Sequence, residues 1–291
     1  MAAPLTFDVG GGVAVVFSAR SPAKETPNED AAAIIPAGPD AVVLAVADGL
    51  GGGASGERAS RVALQELRTA IEQAAAGGAF QSEESAAGSN GANGTPDGEH
   101  PALASPGAML RASILDGLDR ANRAVLALGT GAATTMAVVE IAGRTIRPYH
   151  VGDSLILLVG GRGRIKMQTI SHSPVGYGVE AGLLNDVEAM HHADRHIVSN
   201  VVGCPDMRIE IGPARQLAPR DTVLLASDGL CDNLHVEEII GRVRKGRLAA
   251  SLQTLADEAA RRMQSPAAGQ PCKPDDLTVV MFRPRANASR L

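Results

Sequence analysis

Four short apolar runs, each beginning or ending at an acidic residue, set the strongest limit on how this chain can fold. Asp48 follows AVVLAVA and opens DGLGGGASGE, and Asp153 follows TIRPYHV within VGDS. Asp228 follows DTVLLA within SDGL, and Asp275 precedes LTVVMF within DDLT. Runs this short, bounded by turn residues, read as buried β-strands. A strand that meets solvent at a carboxylate puts that carboxylate on the rim of a sheet. Several such rims brought together make a site for a hard cation, because magnesium and manganese favour carboxylate oxygens and water.

The rest of the chain supplies the layers. Strands are expected at Val13–Ser18, Ala31–Ile35 and Ala41–Ala47, with PAGPD as a turn before the last. Glu57–Ala76 and Leu110–Leu128 carry apolar residues at helical spacing. Between them, residues 77–107 turn to Gly, Ser, Asn, Pro and Ala, and predict a disordered insertion that acts as a spacer. Thr134–Glu140, Thr145–Val151, Leu155–Val159 and Arg164–Ile170 follow at hairpin distances, which implies antiparallel pairing. Residues 171–207 read as irregular; Met207–Ile211 and Asp221–Ser227 return to strand, Val236–Val243 and Leu248–Met263 to helix, and Leu277–Phe282 to a last strand. Strand groups separated by helix pairs predict an α+β layered sandwich in one domain, residues 1–291.

Composition excludes several classes. Aromatics make up 2% with no Trp, so the core is built from aliphatic residues and base-stacking platforms are absent. A formal charge of -5 without a basic run argues against nucleic acid and anionic membrane as partners. No run of about 18 apolar residues occurs, and residues 1–12 lack the basic start and apolar stretch of a signal peptide. Three scattered cysteines suit a reducing compartment, so a cytoplasmic, membrane-free protein is expected.

The motifs leave alternatives. Gly51, Gly53 and Gly56 satisfy G-x-G-x-x-G, but no second strand follows the helix to make a dinucleotide-binding βαβ unit. The other reading makes Asp48 a metal ligand, with Gly49 letting its own carbonyl approach an ion. Asp228 is either a ligand or the N-cap of the helix that opens at Val236. Side chains alternate along a strand, so only one of Asp275 and Asp276 faces a given site; Asp275 is assigned to it and Asp276 to a structural hydrogen bond. Asn28-Glu29-Asp30 is a turn or supports metals through water. His192 and His196 have zinc spacing, but Ala193 stands where a helical zinc-protease motif has Glu.

Taken in order, NEDA, VADGLGG, GAATT, VGDS, SHSPV, LLASDGL and DDLTVV resemble the metal-dependent Ser/Thr protein phosphatases of the 2C type, bacterial branch, along nearly the whole chain. That resemblance implies a four-layer α-β-β-α sandwich of two antiparallel sheets flanked by helix pairs. It implies two Mg²⁺ or Mn²⁺ ions, with Asp48 bridging them, the Gly49 carbonyl on one, Asp228 and Asp275 on the other, and Asp30 and Glu29 acting through waters. Asp153 with Asp228 would form a third, weaker site, and residues from about 171 to 207 a flap over the substrate. The implied activity is hydrolysis of phosphoserine and phosphothreonine on the protein substrates of Ser/Thr kinases, by a monomer and a metal-activated water. Two departures matter. Where the family has an Arg for substrate phosphate this chain has Glu25, which leaves Lys24 or Arg20 for that role. Leu50 stands where eukaryotic members have a His. A catalytically weak phosphoprotein binder and a phosphatase of anti-sigma antagonists are the alternative readings.

Overall fold

The Val-, Ala- and Leu-rich runs become central strands because they are buried on both faces. Ala41–Ala47 and Met136–Ala142 are almost wholly enclosed, so neither shows the alternation of a half-exposed strand. The computed structural model describes residues 3–80, 105–267 and 269–285.

In chain order the strands are β1 (Leu5–Val9), β2 (Gly12–Ala19), β3 (Ala31–Pro36), β4 (Ala41–Ala47), β5 (Gly49–Leu50), β6 (Ala133–Thr134) and β7 (Met136–Ala142). They continue with β8 (Thr145–Val151), β9 (Leu155–Val159), β10 (Ile165–Gln168), β11 (Glu210–Ile211), β12 (Arg215–Gln216), β13 (Thr222–Ala226) and β14 (Leu277–Pro284). The helices are α1 (Ala54–Ala76), α2 (Pro106–Ala127), α3 (Pro174–Glu180), α4 (Asp186–Met190), α5 (Asp228–Cys231), α6 (Val236–Val243) and α7 (Leu248–Gln264).

One sheet runs β1-β2-β14-β13-β9-β10 and the other β11-β8-β7-β4-β3, with β12 also on β8; β5 and β6 make a small pair. Every pairing is antiparallel. The two sheets face each other through Val42, Leu44, Val139, Leu158, Leu225 and Phe282. Leu67, Ile71, Ile114 and Leu118 of α1 and α2 cover the outer face of one sheet. Ile239, Leu252, Leu255 and Ala259 of α6 and α7 cover the outer face of the other. This is the expected four-layer α-β-β-α sandwich, and its all-antiparallel sheets rule out a βαβ unit around Gly51, Gly53 and Gly56.

Several details differ from the expectation. β1 was not anticipated; it joins β2 through Gly10 and Gly11, whose φ values of 52° and 66° fit the tight Gly-Gly hairpin. The strand expected from Thr134 breaks at Thr135, whose N–H leaves the ladder to bond the Asp48 carbonyl. The strand expected over Met207–Ile211 is confined to Glu210–Ile211. The stretch 171–207 is not simply irregular. It holds α3 and α4, with Ser173 and Asn185 accepting from N–H groups of their first turns. α2 starts earlier than expected because Ser105 caps it and Pro106 suits the first turn. The disordered insertion expected at 77–107 falls largely on residues 81–104, outside the described residues. Among the described residues no helix is long and apolar enough to cross a membrane.

Candidate metal centre

Asp48 stands just past the end of β4, and three contacts hold its main chain. Its carbonyl accepts from Thr135 N–H at 2.9 Å and from Thr134 Oγ1 at 2.8 Å, while its N–H donates to Thr135 Oγ1 at 3.0 Å. Thr135 Oγ1 in turn pairs with Ser154 Oγ at 2.7 Å, beside Asp153. The threonines of GAATT therefore fix the Asp48 backbone and bond the side chain of the residue after Asp153. Gly49 has a reason beyond the one the sequence suggested: a Cβ there would collide with the backbone of Gly56 and with the Glu29 carbonyl.

Asp228 opens α5, whose N-cap position is Ser227, while the N–H of His235 before α6 is held by Glu238. The capping alternative for Asp228 is thus set aside. Ser227 Oγ donates to Asp30 Oδ2 at 2.7 Å and accepts from Thr278 N–H, which ties the start of β3 to β14. Asp276 behaves as the alternation rule requires. Buried at 2% exposure, it accepts from Ser21 N–H, Glu29 N–H and Lys24 Nζ, while its neighbour Asp275 faces the cluster.

A cavity of about 230 Å³ is lined by Asp48, Asp153, Asp228, Asp275, Glu29 and Gly49, among others. The fold thus brings together the acidic residues singled out in the sequence, with Asp30 just behind them. Burial pushes the Asp48 carboxyl well up, and the charges of Asp30, Asp228, Asp153 and Asp275 push it further. Burial likewise raises Asp30 to about 8, Asp153 to about 7 and Asp228 to about 6, with Asp228 adding to the first two. Glu29 Oε1, Asp30 Oδ1, Asp153 Oδ1 and Asp228 Oδ1 are buried without a hydrogen-bond donor. Each such oxygen costs about 1–3 kcal/mol. An all-oxygen set of anions, crowded and short of donors, fits hard divalent ions such as Mg²⁺ or Mn²⁺.

Two lysines reach this cluster. Lys24 Nζ lies 3.0 Å from Glu29, 3.1 Å from Asp276 and 3.3 Å from Asp275, and these carboxylates outweigh its burial and push its pKa up. Lys273, missed in the sequence, contacts Asp228, Asp232 and Asp275. Asp232 was missed too, although its i, i+4 spacing from Asp228 would have put both on one side of a helical turn. Arg20 is exposed, with Nη1 on the Glu25 carbonyl, and does not line the cavity. His196 does line it, which its zinc-like spacing had not suggested. His192 instead accepts from Asp194 N–H. Burial, then Asp232 and Asp228, push the Cys231 thiol up, away from a nucleophilic role.

A second group, His150, His172 and Glu210, has ligand-type atoms within 4.8 Å of one another. His172 Nδ1 accepts from Gly152 N–H at 3.1 Å, so its proton is on Nε2, facing Glu210 Oε2 at 2.9 Å. In that tautomer Nε2 donates to the Glu210 carboxylate.

The chain is similar to known proteins. The family model described as Protein phosphatase 2C matches residues 20–265. A putative protein phosphatase 2C-type from Streptococcus pyogenes is 32% identical over 111 residues, 38% of this chain and 44% of that protein. The serine/threonine protein phosphatase PstP of Mycobacterium tuberculosis is 27% identical over 246 residues, 82% of this chain and 40% of that protein. The chain thus spans under half the length of these curated relatives. The catalytic domain of PstP, solved in complex with two manganese ions, superposes with a TM-score of 0.66 at 24% identity, covering 94% of this chain and 98% of that one. On the family match over most of its length, the chain belongs to the protein phosphatase 2C family.

Proposed function

We propose that this chain hydrolyses phosphoserine and phosphothreonine on proteins, as a single monomeric catalytic domain in the cytoplasm. The observation that carries the reading is the set of buried carboxylate oxygens without donors, gathered around Asp48. Mg²⁺ or Mn²⁺ ions held by Asp48, Asp228, Asp275 and the Gly49 carbonyl, with Asp30 and Glu29 acting through water and Asp153 lining the same cavity, would supply Lewis acidity and activation of water.

The chain's own residues do the remaining work. Thr134 and Thr135 hold the Asp48 backbone and Ser227 holds Asp30, so the acidic groups are oriented before substrate arrives. Lys24, on the cavity wall, adds a fixed positive charge toward an incoming phosphate. When water oxygen bonds to phosphorus, the bond from phosphorus to the substrate's side-chain oxygen breaks, and that oxygen must gain a proton. His196 is the imidazole bordering the cavity and is assigned to give it. A second cavity, of about 220 Å³, shares Asp153 and Asp228 with the first and is walled by Val175, Val179, Met190 and Val236. Three of these four lie in α3, α4 or the turn they enclose, which supports reading residues 171–207 as a flap that shapes access to the phosphorylated residue.

The test is phosphate release from phosphoserine, phosphothreonine and phosphotyrosine peptides in Mn²⁺. Release from the first two is expected; release from phosphotyrosine alone, or from none, contradicts the substrate class. His196→Ala should lower kcat on the phosphothreonine peptide by roughly 10²-fold or more. It should leave p-nitrophenyl phosphate nearly unchanged, since that leaving group needs no proton. An equal loss on both substrates would remove His196 from the role.

A further inference from the structure

Lys273 is held in the acidic cluster by its main chain as well as its charge. Its ammonium lies 2.6 Å from Asp228 Oδ2, 2.7 Å from Asp232 Oδ2 and 3.3 Å from Asp275 Oδ2. Its N–H donates to Asn233 Oδ1 at 2.9 Å, and its carbonyl accepts from Asn233 Nδ2 at 2.8 Å. Asn233 is fully buried, and the same amide group also donates to the Gly229 carbonyl at 2.9 Å. Asp228, Gly229, Asp232 and Asn233 belong to α5 and the residues just after it. One turn therefore supplies two carboxylates and grips the backbone of the lysine that lies between them.

A loose surface lysine can swing away from an anion when a better cation arrives. Lys273 has both main-chain groups taken and only about a quarter of its side chain exposed, 23%. A divalent ion on Asp228 and Asp232 together would need oxygens at roughly 2.0–2.6 Å. An ammonium at 2.6 and 2.7 Å from one oxygen of each leaves no room between these two, and its charge repels a second cation there; from Asp275 Oδ2 it stands further off, at 3.3 Å. Asp153 lines the same cavity as Asp228, Lys273 and Asp275, so a third ion on Asp153 and Asp228 would meet the same ammonium.

We propose that the Lys273 ammonium is a built-in cation of this centre, which occupies the place of a third ion beside Asp228 and Asp232 and limits the protein to two divalent ions. The inference rests on the metal-centre reading above. It names a role for Lys273 and Asp232: Asp232 anchors the ammonium, and the ammonium neutralises Asp228 at Oδ2.

The test is a count of bound Mn²⁺ on the full chain, by calorimetry and by electron paramagnetic resonance of free Mn²⁺, up to low-millimolar metal. The wild type should bind two ions. Lys273→Met should bind a third, and adding Asp232→Asn to it should return the count to two. A wild type that binds three, or a folded Lys273→Met that still binds two, overturns the inference and leaves the metal centre intact. A wild type that binds none overturns the metal centre itself, and the inference with it. If circular dichroism shows Lys273→Met unfolded, Lys273→Gln replaces it with the same expected gain of one ion.

Discussion

Single side chains in this molecule are explained by what they neutralise. Asp276 is the clearest case: a buried carboxylate supported by two backbone N–H groups and by Lys24. Removing one partner of a buried pair leaves an uncompensated charge. Lys24 is 30% exposed, so water softens that loss, and Lys24→Met should cost about 2 kcal/mol. In the Mn²⁺-loaded protein this corresponds to a fall in Tm of roughly 4–8 °C; an unchanged Tm would mean the three ion pairs contribute nothing. The acidic residues were legible in the sequence because strand-end carboxylates follow from period and turn chemistry. Lys273 was not, because its place depends on the Asn233 amide, forty positions away in the chain, and no local pattern carries that. The choice between Lys24 and Arg20 was also beyond local pattern, since both are cations within a few residues of the same motif.

Helices and strands position the centre through a few close approaches. α5 runs so near the entrance of β14 that a Cβ at Gly229 would collide with the Asp276 carbonyl oxygen. Glycine to alanine inside a helix ordinarily stabilises by about 1 kcal/mol. Here the obstacle is backbone, which cannot rotate away, so the sign reverses. Gly229→Ala should push Asp228 from Asp275, weakening Mn²⁺ binding and lowering kcat/KM by roughly 10-fold or more, on the scale of a displacement near 1 Å. Wild-type Mn²⁺ affinity in that variant would show that α5 can shift freely. The boundaries of α1, α6, α7, β4 and β8 were readable within a few residues because periodicity and turn residues agree there. β1 was overlooked although Val9-Gly10-Gly11-Gly12 carries a hairpin signal, since its exposed edge position gives no buried run to notice. The short caps at Ser173 and Asn185 that order α3 and α4 were likewise hidden in a stretch that lacks long periodicity.

At the scale of the whole molecule, the layers were predictable and the order of strands was not. Alternation and run length say which faces are buried, but not that β14 lies between β2 and β13. That neighbour choice brings residues from both ends of the chain to one rim, and it gives the fold a pH signature. Asp30 and Asp153 have folded values near 8 and 7, above the 3.8 of the free carboxyl. Raised carboxyl pKa values favour the fold when protonated, so that contribution is full below about pH 4 and is lost as pH rises through 7 and 8. His150 pulls the other way: burial, and then His172, lower it from 6.5 to about 3, so it penalises the fold only as pH drops below 6.5. Between pH 6.5 and 8.5 the carboxyls act alone. The Tm of the metal-free protein should fall across that window, and saturating Mn²⁺ should abolish or reverse the trend. A metal-free Tm that rises with pH would contradict the crowding of anions around Asp48. The central claim, that this crowding exists to hold divalent ions for phosphate-ester hydrolysis, is tested most directly by turnover of a phosphothreonine peptide against Mn²⁺ concentration. EDTA and Asp228→Asn serve as the two controls. Saturable, Mn²⁺-dependent release of phosphate, lost in both controls, is the predicted result. Turnover that survives EDTA or Asp228→Asn, or a folded protein that releases no phosphate at any Mn²⁺ concentration, would contradict it.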